Sequence, residues 1–252
     1  MSTNSKTRVQ SIDRALCILE TLSNYESLSL VEISEKVNLH KATTHRLVNS
    51  LLDNGYIEKD LSTKHYRISL KLFALGNRRV QNIDFLNVAK SMIRQLAIEI
   101  NQTVHLVIED NQEVLYIDKY DPNENRMQSK IGMKVPMYCT AVGKAILATK
   151  TNTEIAEYWE KSSIRKLTNN TIVNLEDFLE EIENIRKKSY AIDNEENEHG
   201  VICIGATFSS FKNIAAGAIS VSMPVSGIEK KPLFIEKILE ATGKTSKILG
   251  YF

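Results

Sequence analysis

Ala42, Thr43, Arg46 and Asn49 fall on one side of a helical stretch whose other side carries Leu47, Val48, Leu51 and Leu52. That polar side has the chemistry to meet a DNA duplex. A guanidinium such as that of Arg46 can grip O6 and N7 of guanine in a bidentate pair, and an amide such as that of Asn49 suits adenine. Ala42 and Thr43 can lie against a thymine methyl or a phosphate. Lys41 at the start of the stretch and Lys64 in a later polar turn suit phosphates, which position a protein without specifying sequence. Arg46 equally suits a phosphate or a surface carboxylate, so the residues alone leave its role open.

A second group lies in the other half of the chain. Ser220 and Ser222 alternate with apolar residues, so on a strand both hydroxyls point the same way. A helix expected to start near Thr140 leaves the amides of Ala141 and Val142 without intrahelical partners, an end that favours an anion. Gly143-Lys144 is not a phosphate-binding P-loop. Tyr138 stands where that motif needs its first glycine, and Ala145 where it needs Ser or Thr. Lys144 therefore reads as structural or surface. His105, His199, Cys139 and Cys203 lack metal-ligand spacing, so neither zinc nor any cofactor is expected.

These groups need elements to hold them. Val9, Ile12, Leu16, Leu19 and Leu22 recur at helical spacing. Ser29 to Glu32 reads as a capping box opening a short helix, with Ile33 and Val37 inward and a tight turn at Asn38-Leu39. The helix bearing Arg46 follows and ends before Gly55. Residues 56–58 and 65–68 read as two strands around the turn Asp60 to Lys64. Three helices and a hairpin make a winged helix-turn-helix over residues 1–69. A linker helix is expected at 70–84. Residues 85–252 mix strands (104–108, 114–117, 202–208, 216–223) with helices (from Leu86, then 141–149, 153–161, 174–188 and 228–249), which predicts an α+β domain.

Bulk properties agree. The 252 residues are 42% hydrophobic, enough for more than one core. No apolar run is long enough to span a membrane, and the N-terminus lacks a signal-peptide pattern. Three well-separated cysteines fit a reducing cytoplasm. Residues 1–80 carry 12 basic and 8 acidic residues, and segment 40–79 carries 8 and 3. The remainder carries 20 and 23, so positive charge concentrates where DNA chemistry is expected.

Arg8-Val-Gln-Ser-Ile-Asp-Arg-Ala-Leu-Cys-Ile-Leu-Glu20, Lys41-Ala-Thr-Thr-His-Arg-Leu-Val48 and Gly55-Tyr56 resemble the IclR family of bacterial regulators. So do Val142 to Ala148, Tyr190 to Glu196 and Gly200 to Cys203, in order over residues 8–250. Thr44 departs from an apolar valine and Tyr138 from a common histidine. The first departure is expected to loosen helix packing and the second to alter the pocket entrance. The resemblance implies a GAF-like effector-binding domain. In it Asp193, Cys203, Ser220 and Ser222 contact a small organic acid, with the amides of Ala141 and Val142 as its carboxylate cradle. It also implies a repressor of double-stranded operator DNA, working as a homodimer or tetramer. Members responding to the sugar acid 2-keto-3-deoxygluconate are similar overall. The alternatives are a cysteine enzyme, with Cys203 or Cys139 as nucleophile and His199 as base, and a DNA-binding protein indifferent to ligand.

Overall fold

The helix starts in the first third of the chain are visible as hydrogen bonds. In this computed structural model, which describes residues 9–81, 85–122, 129–210 and 215–251, the Ser29 hydroxyl accepts from the Glu32 amide at 3.3 Å. The Glu32 carboxylate accepts from the Ser29 amide at 2.8 Å, closing the capping box at the start of α2 (Leu30–Lys36). Asn38 takes the turn to α3 (Lys41–Asp53) with a left-handed φ of 51°. Gly55, φ +70°, stands just past the end of α3, a conformation that suits a residue without a Cβ. α1 (Gln10–Ser23) precedes them, and the hairpin β1 (Ile57–Lys59) and β2 (Tyr66–Ile68) follows, paired antiparallel. Ile18, Leu22, Leu28, Ile33, Val48, Leu51, Ile57 and Tyr66 form their common core. α4 (Leu70–Gln81) completes the first of two compact units, Met1–Ile83. Residues 82–84 of the expected linker helix lie outside the described residues.

Two expectations change here. Thr44 does not loosen the helix pair. It is fully buried, with its hydroxyl 3.3 Å from the His40 carbonyl and 3.4 Å from Ser34 Oγ, while Ser34 donates to the Leu39 carbonyl at 2.6 Å. The hydroxyl a valine would lack is thus partnered inside the α2–α3 turn. The apolar spacing of α1 also divides between two surroundings. Leu22 and Ile18 are buried, whereas Ile12 and Leu16 stay 57% and 51% exposed.

The second unit, Asp84–Phe252, is built on a six-stranded antiparallel sheet. Its strands are β3 (Thr103–Asp110), β4 (Glu113–Tyr120), β5 (Lys134–Pro136), β6 (Ala191–Asn194), β7 (Val201–Ser209) and β8 (Ala215–Pro224). Their spatial order is β5-β4-β3-β8-β7-β6. α6 (Ala141–Leu147), α7 (Asn152–Lys161) and α8 (Leu175–Lys188) share a core with Val107, Ala191 and Ala218 on one face of the sheet. α5 (Leu86–Ile100) and α9 (Lys231–Ile248) take the other face, where Phe85 meets Phe208 edge-on at 5.3 Å. β5 and β6 were not anticipated, because three or four residues cannot display an alternation. Among the described residues no helix is long and apolar enough to cross a membrane.

α6 is seated on Gly205 of β7. A Cβ built there would lie 2.6 Å from Ala141 C and 2.7 Å from Val142 N, closer than real Cβ atoms approach backbone. Gly205→Ala should therefore destabilise the second unit by about 1–3 kcal/mol through overpacking. Calorimetry should show its unfolding transition lowered by roughly 3–10 °C. An unchanged transition would mean that α6 is not held tightly to the sheet.

Candidate functional sites

On α3 the structure leaves Lys41, Ala42 and Arg46 exposed, while Thr43 and Asn49 are half-buried. Lys64 is exposed at the hairpin tip with φ 61°, in a loop held by Asp60. Asp60 accepts from the Ser62 hydroxyl at 2.5 Å, the Ser62 amide at 2.7 Å and the Thr63 amide at 3.0 Å. Those bonds, the Ser62 hydroxyl first, hold its carboxyl down at about 2. Among the described residues no ion pair engages Lys41, Arg46 or Lys64, whereas Arg67 beside them is paired with Glu58 at 3.1 Å. The sequence reading passed over His45. It is exposed on the same helix, with Nδ1 3.5 Å from the Asn49 side chain. Its i,i+4 spacing from Asn49 was the available signal.

In the second unit the strand register gathers residues from distant segments. Asp193 pairs with Cys203, Cys203 with Ser222, and Ser222 with Thr103, making one rung across β6, β7, β8 and β3. Two residues along every strand lies the next rung on the same face: Ala191, Gly205, Ser220 and His105. A cavity of about 280 Å³ opens on this patch, lined by Asp193, Cys203, Ser222, His105, Tyr116 and Ser129 among others. Ser220 sits behind that lining, with its hydroxyl 3.5 Å from His105 Nδ1. Ala141 and Val142 lie above Gly205, outside the lining as well. Thr140 caps α6 by accepting from the Gly143 amide at 3.3 Å. Three of the six residues expected to meet a ligand thus line the cavity, and the other three adjoin its floor.

One further expectation is corrected, and one is narrowed. Tyr138 is not at the cavity mouth. It is buried against Trp159, with its hydroxyl donating to the Arg165 carbonyl at 2.9 Å and accepting from the Arg165 amide at 3.1 Å. Lys144, left as structural or surface, is structural. It is 1% exposed and bonded to Glu196 at 2.5 Å and Glu181 at 3.4 Å. A larger cavity of about 470 Å³ lies among α6, α8, β7 and α9. Its one arginine, Arg186, already serves the carbonyls of Ala148 and Lys150 and the side chain of Asn152, so no free charge converges there.

Burial dominates the electrostatics of the smaller cavity. Asp193 Oδ1 accepts from the amides of Glu196 at 2.7 Å and Asn197 at 3.3 Å. Desolvation nevertheless lifts its carboxyl to about 7, with the charge of Glu196 adding to the rise. Burial also pushes the thiols of Cys203 and Cys139 up to about 12. His105 moves the other way, down to about 3, through desolvation and then the charge of Lys119. Neutral thiols are poor nucleophiles. Cys203 Sγ neighbours Ser222 Oγ at 3.1 Å, and His199, the expected base, is exposed.

Comparison with known proteins finds matches for both parts of the chain. The IclR helix-turn-helix domain matches residues 11–61, and the bacterial transcriptional regulator IclR C-terminal domain matches 77–247. The HTH-type transcriptional regulator KdgR of Escherichia coli K12 is 32% identical, over 96% of this chain and 94% of its own length. The transcriptional repressor IclR of the same organism is 28% identical, over 88% of this chain and 82% of its own. The crystal structure of Thermotoga maritima IclR superposes with a TM-score of 0.83 at 30% identity, covering 97% of this chain and all of that one. A DNA-reading unit followed by a sheet domain, both matched in order along the chain, makes this protein a member of the IclR family of bacterial transcriptional regulators, DNA-binding proteins rather than enzymes.

Proposed function

We propose that this regulator is a repressor whose hold on its operator changes when a small organic acid occupies the 280 Å³ cavity. In this reading residues 1–69 are the reading head, 70–84 the linker and 85–252 the sensor. The observation that carries it is the rung Asp193–Cys203–Ser222 opening on a space of about 280 Å³, close to the lower bound of ligand pockets. The space suits a molecule of sugar-acid size, such as 2-keto-3-deoxygluconate. An Asp193 carboxyl near 7 can carry a proton and donate to an acid instead of repelling it. The amides of Ala141 and Val142, at the start of α6, are assigned to the ligand carboxylate, and Ser220 and Ser222 to polar groups on the rest of the molecule.

On the reading head, Arg46 is assigned to a base edge, Ala42, Thr43 and Asn49 to its neighbours, and Lys41 and Lys64 to phosphates. Arg46→Ala should cost about 1–3 kcal/mol on the operator and relax preference at one base pair. Lys64→Ala should weaken all duplexes alike and reduce the salt slope by roughly one unit. Titration of operator and scrambled duplexes at several salt concentrations separates them. Equal losses on both duplexes for Arg46→Ala would place Arg46 on a phosphate.

One recognition helix covers too few base pairs for a genomic address, so a dimer on a near-palindromic operator is expected. Ile12 and Leu16 of α1 and Leu70 and Phe73 of α4, the last two 80% and 70% exposed, supply apolar surface for the pairing. Light scattering at DNA-binding concentrations should give at least a dimer, and a monomer that still binds operator would refute the pairing.

Ser220→Ala/Ser222→Ala should weaken acid binding by one to two decades, about twice the 0.5–1.5 kcal/mol of one lost partner. DNA binding by the free protein should persist, because the reading head belongs to the other unit. Calorimetry against a panel of small oxo and hydroxy acids tests this, and undiminished binding by the double variant would place the ligand elsewhere.

A further inference from the structure

We propose that His105 sets the ligand class of the cavity: beside Ser222, and backed by Ser220, it reads a hydroxyl on the bound acid and so selects hydroxylated acids over plain 2-oxo acids. The proposal rests on the cavity being the effector site, and it adds a residue that the resemblance did not supply.

His105 is 3% exposed, yet it lines the cavity beside Ser222. Its two ring nitrogens are unequally served. Nε2 lies 2.7 Å from Ser129 Oγ, a full hydrogen bond. Nδ1 lies 3.5 Å from both Ser220 Oγ and Ser222 Oγ. At that length neither contact is a strong bond, and one nitrogen has a single proton or a single lone pair to offer. Three buried polar atoms therefore converge with hydrogen-bonding capacity to spare. Tyr116 packs edge-on against the imidazole at 5.1 Å and helps fix the plane of the ring.

The ring is neutral, because burial and the charge of Lys119 both oppose its protonation. It therefore gives no cationic anchor for a carboxylate. Nδ1 offers one proton or one lone pair and the serine hydroxyls offer both, so the set as a whole is best served by a group that both donates and accepts, and an alcohol does both. A ketone or carboxylate oxygen only accepts, and a methyl does neither. Strand spacing places His105 on β3 about 10 Å from Cys203 on β7, with β8 between them. The side chains close that gap, since Ser222 Oγ lies 3.1 Å from Cys203 Sγ and 3.5 Å from His105 Nδ1, and an acid of several carbons has the length to touch Asp193 and the imidazole together. Leaving such a buried set unpaired is what makes a site reject an analogue that lacks the hydroxyl.

The test is calorimetric titration of the full-length protein with 2-keto-3-deoxygluconate and with pyruvate. Wild type is compared with His105→Leu, His105→Gln and Ser220→Ala/Ser222→Ala. Wild type should prefer the hydroxylated acid at least roughly tenfold, the order of one well-made hydrogen bond. His105→Leu should lose about tenfold on that acid and less than about twofold on pyruvate, with His105→Gln between wild type and Leu. Wild type that binds neither acid, or both equally, overturns the proposal. So do equal losses on the two acids, which would make His105 a packing residue. If His105→Leu fails to fold, a loss by His105→Gln confined to the hydroxylated acid decides for the proposal, and an even loss decides against it. Undiminished binding by the serine variant sinks the cavity reading itself. A weakened serine variant beside an unaffected His105→Leu sinks only the role of His105.

Discussion

The antiparallel register of β6, β7, β8 and β3 is the constraint on which the second unit depends. It aligns Asp193, Cys203, Ser222 and Thr103 as one rung and Ala191, Gly205, Ser220 and His105 as the next. Side chains alternate along a strand, so a slip of one residue in any pairing would turn its polar members to the opposite face, towards α5 and α9. The same register puts the residue without a Cβ, Gly205, where α6 must approach the sheet. One set of backbone hydrogen bonds thus builds the polar floor and seats the helix start that adjoins it.

The turn after β6 is fixed by charge as well as by backbone. Asp193 receives the amides of Glu196 and Asn197, and Glu196 reaches across to Lys144 of α6. Lys144 is 1% exposed, so removing one partner would strand a charge in the interior, at a typical cost of about 3–5 kcal/mol. Such a pair adds little net stability over an apolar pair of the same shape. Its effect here is geometric, because it ties the turn bearing Asp193 to the helix over Gly205. Burial that raises Asp193 to about 7 and lowers His105 to about 3 leaves these two groups neutral or close to it, suited to hydrogen bonding.

The DNA-reading unit follows a different economy of parts. Its core is eight residues around α1, α2, α3 and the hairpin, and its polar positions act at the turns. Ser29 and Glu32 start α2, and Ser34 and Thr44 lock the turn into α3. Asp60 shapes the loop that carries Lys64. Arg46 and Lys41 are left outside these networks, which is the condition for using them on a duplex.

Local order was legible in the sequence because it rests on short-range rules. Helical spacing gave α1, α3 and α5, and the capping box gave the start of α2. The resemblance then named Asp193, Cys203, Ser220 and Ser222, and beyond the strand alternation of the two serines no spacing rule connects them. The sequence did not reveal β5 and β6, whose three and four residues are held by neighbours rather than by their own alternation. Nor did it place Thr44, Tyr138 or Lys144, since burial of a polar side chain depends on partners such as Ser34, Arg165 and Glu196 that lie 10 to 52 residues away. His105 is the sharpest case. Its sequence neighbours are ordinary strand residues, and only the pairing of β3 with β8 brings it to the two serines. A local pattern can fix a helix or a turn, but the meeting of side chains more than a hundred residues apart is decided by strand register, which exists only in the folded sheet.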